Sequence, residues 1–344
     1  MRPLLLLTAL VTSHFVFAQT EIYKQQIDSA IALHEKGEYD KAIAIYDKVI
    51  ENDDRYYDAW HEKTLSLFAA KRYQECIATC QIVLKKFNDN PANGQIYCHW
   101  GSAVDELGKP NDAVTVFSKG IKKYPDEYLL YLNRGITHYK QNNVKEAVSD
   151  MQSTISLNPL NASAHQFLAY SIYQENKMAF VLSLSTFLML ESQGARAANN
   201  LELLCKVLGA NVQQKDEKNI NITLQSGMFH MKREGPDDFR EQELGINFRA
   251  ALDYDDKYKH LDAAQKLKNK LELFCDREGD RKSKGFFTPT YIPLFKQLRD
   301  DNLLETACYV MQSTSYDAAV KQWLTINHDK VAAFKKWMQT YRWR

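Results

Sequence analysis

The amino-acid sequence predicts a mainly all-α protein: a right-handed α-solenoid of stacked helical hairpins, followed by a small, mostly helical C-terminal domain with room for one short strand. Three observations carry this expectation. Small residues recur with a period of 34, a residue tolerant of positive φ stands at each matching inter-helix turn, and beyond Gly209 the repeat stops while helical periodicity resumes from about Asp255.

The chain opens Met1-Arg2, continues through Leu4, Leu5, Leu6, Leu7, Leu10 and Val11, and reaches Val16-Phe17-Ala18-Gln19. A positive start, an apolar stretch broken by Ser13-His14 and a small-residue exit read as a secretory signal over residues 1–18, cleaved after Ala18. The stretch is shorter than the roughly 20 residues of a membrane-spanning helix. Export to the periplasm or the medium is therefore expected, with no integral membrane segment once the signal is removed. Lys and Arg number 44 against 43 Asp and Glu, so no net field recruits nucleic acid. The six cysteines do not form a disulfide framework. Cys76 and Cys80 lie one helical turn apart, too far for a bridge, and read as small core residues; Cys98 and Cys205 read as unpaired. Cys275 and Cys308 are the one pair considered for a bridge, with free thiols the alternative.

The repeat aligns on the small residue of each first helix: Ala30, Thr64, Gly101, Gly135 and Ala169, in steps of 34, 37, 34 and 34. Three residues on stand Leu33, Leu67, Val104, His138 and Ile172, and at the turn stand Gly37, Lys71, Gly108, Asn142 and Asn176. Each second helix carries a small residue, Ala42, Cys76, Ala113, Ala147 or Val181, and four residues later Tyr46, Cys80, Phe117, Met151 or Ser185. Small side chains let paired helices approach, and the larger residue fills the gap to the next hairpin. Pro125 and Pro159 stop the third and fourth units; Asp54 and Asn88 do so in the first two. The three extra residues fall in the Asn90-Pro91-Ala92-Asn93 loop.

In its residues, this pattern resembles the tetratricopeptide repeat family. Gly37-Glu38-Tyr39-Asp40-Lys41-Ala42, Asn133-Arg134-Gly135 and Trp60 are close to the family's usual wording, and the resemblance spans Tyr23 to Glu191, about half the chain. It places units at 23–56, 57–90, 94–127 and 128–161, with 162–195 a degenerate fifth unit or a pair of capping helices. The apolar run Ala179 to Leu190 reads as a buried repeat helix packed on the following helix, Ala195 to Leu208.

The resemblance implies that first-helix side chains line a concave surface able to hold a partner's peptide or helix. Carried over position by position, that lining is Ile27, Ile31 and His34, then His61, Leu65 and Phe68, then Ser102, then Leu132, Ile136 and Tyr139, then Tyr170 and Tyr173. The same mapping places Lys24, Asp58, Gln95, Cys98, Asp105, Leu129 and Gln166 on this surface, toward its flanks. Asp28, Ile31, Glu62 and His99 occupy the places where some relatives carry paired Asn and Lys or Arg, so a carboxylate clamp is not expected. The lining suits either a partner protein or this protein's own C-terminal region.

Residues 196–254 read as an irregular connection and 255–344 as a helical C-terminal region. Ile220, Ile222 and Leu224 alternate like a short strand without an obvious partner. Tyr258, Leu261, Leu267, Leu271 and Phe274 form a helical stripe, and helices are expected at 291–298, 304–311, 318–324 and 331–341. Gly279 and Gly285 mark a charged loop. Phe334, Trp337, Met338 and Tyr341, ringed by Lys335, Lys336 and Arg342, read as a helix docked on the core rather than on a membrane.

No HExxH, phosphate-binding Gly loop, GxSxG or CxxC motif occurs. His230 and Glu234 supply two metal ligands without a third; Asp276, Glu278 and Asp280 lack the Gly and Glu spacing of a calcium loop; Cys275 and His260 prove no dyad by sequence alone. No cofactor, metal or catalytic residue is expected. The sequence reads as a non-catalytic interaction scaffold, the alternative being an enzyme or ligand-binding protein whose activity resides in the C-terminal region.

Overall fold

The computed structural model describes residues 21–216, 219–224, 235–277 and 284–343. The expected signal segment, the His230 and Glu234 pair, and Glu278 to Lys282 lie outside the described residues. The chain divides into two compact units, 1–141 and 142–344.

The first unit is helical throughout: α1 (21–35), α2 (Tyr39–Asn52), α3 (Tyr57–Ala69), α4 (Tyr73–Lys86), α5 (Asn93–Glu106), α6 (Pro110–Lys123) and α7 (Tyr128–Lys140). From α2 onward each helix packs on its neighbours in sequence, and α3 with α5 and α5 with α7 meet as alternate helices. This nearest-neighbour pattern is that of a solenoid. The first core cluster joins Tyr23, Ile27 and Ala30 of α1 to Ala42, Tyr46 and Val49 of α2 and Ala59 of α3. The next joins Leu67, Cys76, Cys80, Val83, Ile96 and Ala103, and the third centres on Phe117 with Cys98, Val104, Ala113 and Leu130.

One turn closes three of these hairpins. Gly37, Lys71 and Gly108 adopt φ of +79°, +59° and +75°. The N–H of the following residue, Glu38, Arg72 or Lys109, donates to the carbonyl of Leu33, Leu67 or Val104 at 2.9, 2.9 and 3.2 Å. This is the Schellman closure, and the left-handed residue it needs explains the recurrent Gly. Gly101 meets a different demand, because a Cβ there would fall 2.3 Å from Phe117 Cε1.

The second unit contains α8 (Val144–Leu157), α9 (Ala162–Ile172), α10 (Lys177–Leu190) and α11 (Gly194–Gly209), then β1 (Val212–Gln214) and β2 (Ile220–Ile222). After these come α12 (Arg240–Leu252), α13 (Ala263–Cys275), α14 (Phe287–Asp300), α15 (Leu304–Met311), α16 (Ala318–Ile326) and α17 (His328–Thr340). Every residue of α10 from Met178 to Met189 is buried, and α9, α11, α12, α14 and α15 surround it. A helix apolar on all sides has no solvent face to offer, so it becomes the axis of the unit.

Several expectations are corrected here. The 196–254 segment is not irregular: α11 occupies the place of the helix expected at Ala195 to Leu208, and an antiparallel hairpin and α12 follow where no element was expected beyond the strand at Ile220. The strand at Ile220 does have a partner, with Val212 opposite Ile222 and Gln214 opposite Ile220. Tyr258 and Leu261 precede the helix they were expected to join. Asp256–Tyr258 is a 3-10 turn, and α13 starts after Asp262, whose carboxylate and Gln265 form a capping box. Cys275 and Cys308 are both buried free thiols, not a disulfide. Asn176 has φ of −147° and caps α10 instead, its side chain accepting the N–H of Ala179 at 3.0 Å.

The repeat turn also reappears unannounced. Asn302 has φ of +57°, Leu303 N–H donates to the Leu298 carbonyl at 2.7 Å, and Leu298, Ala307 and Met311 are fully buried at the offsets of Leu33, Ala42 and Tyr46. The α14 and α15 pair is a hairpin of the same construction, with Phe295 at the position otherwise held by a small residue.

The last helix docks on its own unit. Phe334 and Met338 are buried, and Trp337 Nε1 donates to Asp301 at 2.9 Å.

Candidate functional site

The first helices α3, α5 and α7 of successive hairpins bring side chains to one cavity of about 350 Å³ in the first unit. Of the expected lining, Leu65, Phe68, Ser102 and Ile136 reach it, as do the flanking Gln95, Cys98, Asp105 and Leu129. Repeat spacing explains which do. Ile27, Cys98 and Leu132 are 5%, 3% and 7% exposed, and all stand three residues before the small residue of their helix. Positions i and i+3 share a helix face, so this column turns toward the seam between helices, and Cys98 borders the cavity from there. Ile27 accordingly belongs to the core cluster of α1 and α2, which corrects its assignment to the groove, and Leu132 is buried likewise.

The column one residue after the small position, Ile31, Leu65, Ser102 and Ile136, is half-buried throughout. His34 is held by Ser66 Oγ at 2.8 Å and by the edge of Tyr39, and Tyr139 is 36% exposed. Tyr170 and Tyr173 fall in the second unit. There Tyr170 Oη donates to Asn200 Oδ1 at 2.6 Å, and Tyr173 packs on Phe180 with ring centroids 5.1 Å apart.

Sequence reasoning did not assign His99, Phe117, Asn133, Thr137 or Lys140 to this cavity. His99 and Asn133 are equivalent positions 34 residues apart, and the signal was a pair of polar residues beside a buried column. His99 Nδ1 lies 2.8 Å from Thr64 Oγ1, and that hydroxyl donates to the His61 carbonyl at 2.7 Å. With the Thr64 proton so committed, His99 carries its own on Nδ1 and keeps Nε2 as an acceptor. Burial, reinforced by the charge of His61, lowers the His99 pKa to about 3, so the ring is neutral.

His61 behaves oppositely. Burial disfavours its charged form, yet hydrogen bonds to Glu62 and Gln95 and the charges of Glu62 and Asp58 outweigh this and raise its pKa. Nδ1 reaches Glu62 at 3.0 Å and Nε2 reaches Gln95 Oε1 at 2.8 Å, two acceptors that an imidazolium satisfies together. At the rim Lys140 pairs with Asp105 at 2.9 Å. The cavity thus combines apolar side chains, Leu65, Phe68, Phe117, Leu129 and Ile136, with hydrogen-bonding groups; Asp105 and Lys140 match each other, and Glu106 adds one further carboxylate. Among the described residues no cluster of three or more His, Cys, Asp or Glu could hold a metal, and no helix is long and apolar enough to cross a membrane.

A sequence profile of the tetratricopeptide repeat family matches residues 27–91 and 100–162. The chain is similar to the Dictyostelium discoideum protein STIP1 homolog, 24% identical over 170 residues; the match covers 41% of this chain and 30% of that protein. In fold it is similar to Pseudomonas aeruginosa PilF, with a TM-score of 0.47 and 16% identity over 55% of this chain and 86% of that one. It is also similar to YrrB, described as a tetratricopeptide-repeat protein with an unusual peptide-binding site, with a TM-score of 0.37 and 18% identity over 51% and 93% of the two chains. Recurrent small-residue seams, Schellman turns and the profile match agree: this chain carries tetratricopeptide repeats, the matched ones lying within residues 27–162.

Proposed function

We propose that this protein is an exported, non-catalytic protein–protein interaction scaffold whose first unit holds a peptide or helix of a partner against Leu65, Phe68, Ser102 and Ile136. One observation carries the reading: first-helix side chains of three successive hairpins share one cavity in which apolar side chains stand beside hydrogen-bonding groups. Its border supports recognition of a polypeptide. His99 Nε2 is an acceptor for a main-chain N–H, and the Asn133 side chain, without a hydrogen-bond partner among the described residues, can both donate and accept. The matched Asp105 and Lys140 charges favour a partner segment that is apolar at its centre over one carrying a terminal carboxylate. Export rests on the Met1 to Ala18 segment described above.

The test is selection of peptides from a displayed 12-residue random library on the immobilised full chain, followed by affinity measurement on the selected peptides. Ile136→Asp places a charge in the cavity and is expected to weaken them by at least about tenfold, roughly 1.4 kcal/mol. Equal affinity for the variant refutes the site. Cell fractionation with N-terminal sequencing tests export, and a mature chain retaining Leu4 to Leu10 refutes it.

A further inference from the structure

A cavity of about 630 Å³ in the second unit lies between α11, α13 and the link from Gln312 to Tyr316. That is within the range of small-molecule sites, roughly 300–1,000 Å³. We infer that it binds a small, uncharged, ring-containing molecule with one polar end. The inference uses residues of the second unit alone and stands independently of the peptide cavity.

The walls are aliphatic, with Leu201 and Leu208 from α11 facing Leu267 and Ala263 from α13. Water gains little in such a space because it needs two to four polar partners. The polar groups gather instead at particular points. Lys270 is 5% exposed, and its Nζ donates to Asp253 at 2.6 Å and to the Lys266 carbonyl at 3.3 Å. This ammonium is therefore neutralised where it stands. Lys266 and Glu202, also in the lining, are again of opposite sign. The four charges, two of each sign, sum to zero, so neither an anion nor a cation finds a net field, and an ion would be desolvated without compensation.

Two groups remain unspent. Thr314 Oγ1 is shielded from solvent and has no hydrogen-bond partner among the described residues, an arrangement that costs about 1–3 kcal/mol unless a ligand group meets it. Tyr316 lines the same cavity, yet it is 96% exposed, its recorded ring contact being the Lys321 ammonium 5.5 Å from its centroid. A large aromatic ring left in water beside an apolar cavity gains most from a second ring stacked on it. Rotation of the Thr314 side chain would turn this hydroxyl from behind the wall to the polar end of the ligand, and Tyr316 supplies the ring that stacks on it.

The test uses the full chain and two probes that share one skeleton, uncharged N-phenyl-1-naphthylamine and its sulfonated relative 1-anilinonaphthalene-8-sulfonate. The neutral probe is expected to give a saturable fluorescence increase at one site, at least about tenfold tighter than the sulfonate. Tyr316→Ala, at a position too exposed to disturb folding, is expected to weaken the neutral probe roughly threefold or more, the scale of one aromatic contact. Ala198→Trp, which fills the cavity from its half-exposed wall, is expected to abolish binding while leaving the far-ultraviolet circular dichroism unchanged. Three results overturn the inference: a linear, unsaturable increase; equal affinity for the two probes; or binding unaffected by Tyr316→Ala. Loss of probe binding in Ile136→Asp instead assigns the probe to the peptide cavity and refutes this site without touching the peptide reading.

Discussion

Mild acid should loosen the second unit through one imidazole. His165 is fully buried, with Nε2 2.9 Å from the Pro159 carbonyl and Nδ1 2.8 Å from Tyr291 Oη. A carbonyl only accepts, so Nε2 carries the proton, and in the neutral ring Nδ1 then accepts from the tyrosine hydroxyl. A second proton would have to enter at Nδ1, against that hydroxyl and in a site closed to solvent. Burial accordingly lowers the pKa to about 4, the Pro159 carbonyl opposing the shift only in part. The unfolded chain takes up this proton near pH 6.5, so it binds more protons than the folded chain between the two values. The contribution is complete above about pH 6.5 and is lost as pH falls toward 4. At pH 5 the loss is about 2 kcal/mol, approaching about 3 kcal/mol in stronger acid. His165→Gln supplies a donor for Pro159 and an acceptor for Tyr291 without a titrating group. Urea unfolding at pH 7 and pH 5, followed by hydrogen exchange of the α9 and α14 amides, should show wild type losing about 2 kcal/mol more than the variant. Equal losses, or a His165 resonance that titrates above pH 6, would refute the reasoning.

Gly101→Ala brings a methyl within 2.3 Å of the Phe117 ring, so overpacking of about 1–3 kcal/mol exceeds the roughly 1 kcal/mol gained in helix propensity, and the urea midpoint should fall. Asp237→Ala removes a carboxylate that accepts the N–H groups of Phe286, Phe287 and Thr288 at 2.9, 3.2 and 2.7 Å. Loss of this cap on α14 should cost about 1–2 kcal/mol in a denaturation curve and speed exchange of the first-turn amides. A thiol reagent should modify Cys205 first in the folded chain, because it is exposed while the other cysteines are buried, and burial pushes the Cys275 pKa up to about 12. All six thiols should react after unfolding without reductant; four would mean a disulfide.

The array was legible in the sequence because close approach of two helices imposes a local requirement that the sequence must display. Ala30, Thr64, Gly101, Gly135 and Ala169 are all buried at the seam, and a larger side chain would meet a neighbour as a Cβ on Gly101 meets Phe117. The turn was legible for the same reason, since a positive φ restricts the residue there to Gly, Asn or an occasional strained exception such as Lys71. The groove was only half legible. An apolar side chain satisfies a seam as well as a binding surface, so Ile27 and Leu65 look alike in sequence although Ile27, three residues before its small position, lies in the core and Leu65, one residue after its own, reaches the cavity.

The helices of the second unit at α10 and α14 to α17 were legible, and α12 hid itself by burying polar groups. In α12 the buried face includes Gln242 and Asn247 beside Ile246 and Ala250, which erases the apolar stripe that marks an amphipathic helix. Arg277 shows what such burial requires. It is 3% exposed, and its guanidinium donates to the Asp238 and Pro236 carbonyls at 2.6 and 2.7 Å and to Gln242 Oε1 at 3.0 Å while lying 4.3 Å from the Phe239 ring centroid. A lone charge read from sequence belongs to a solvated loop; here main-chain carbonyls replace the water, and they come from a segment about 40 residues earlier. Compensation of this kind depends on tertiary placement alone. Periodicity therefore finds elements whose stability lies in their own apolar face and misses those held by polar groups satisfied from elsewhere, which is why α10 was visible and α12 was not.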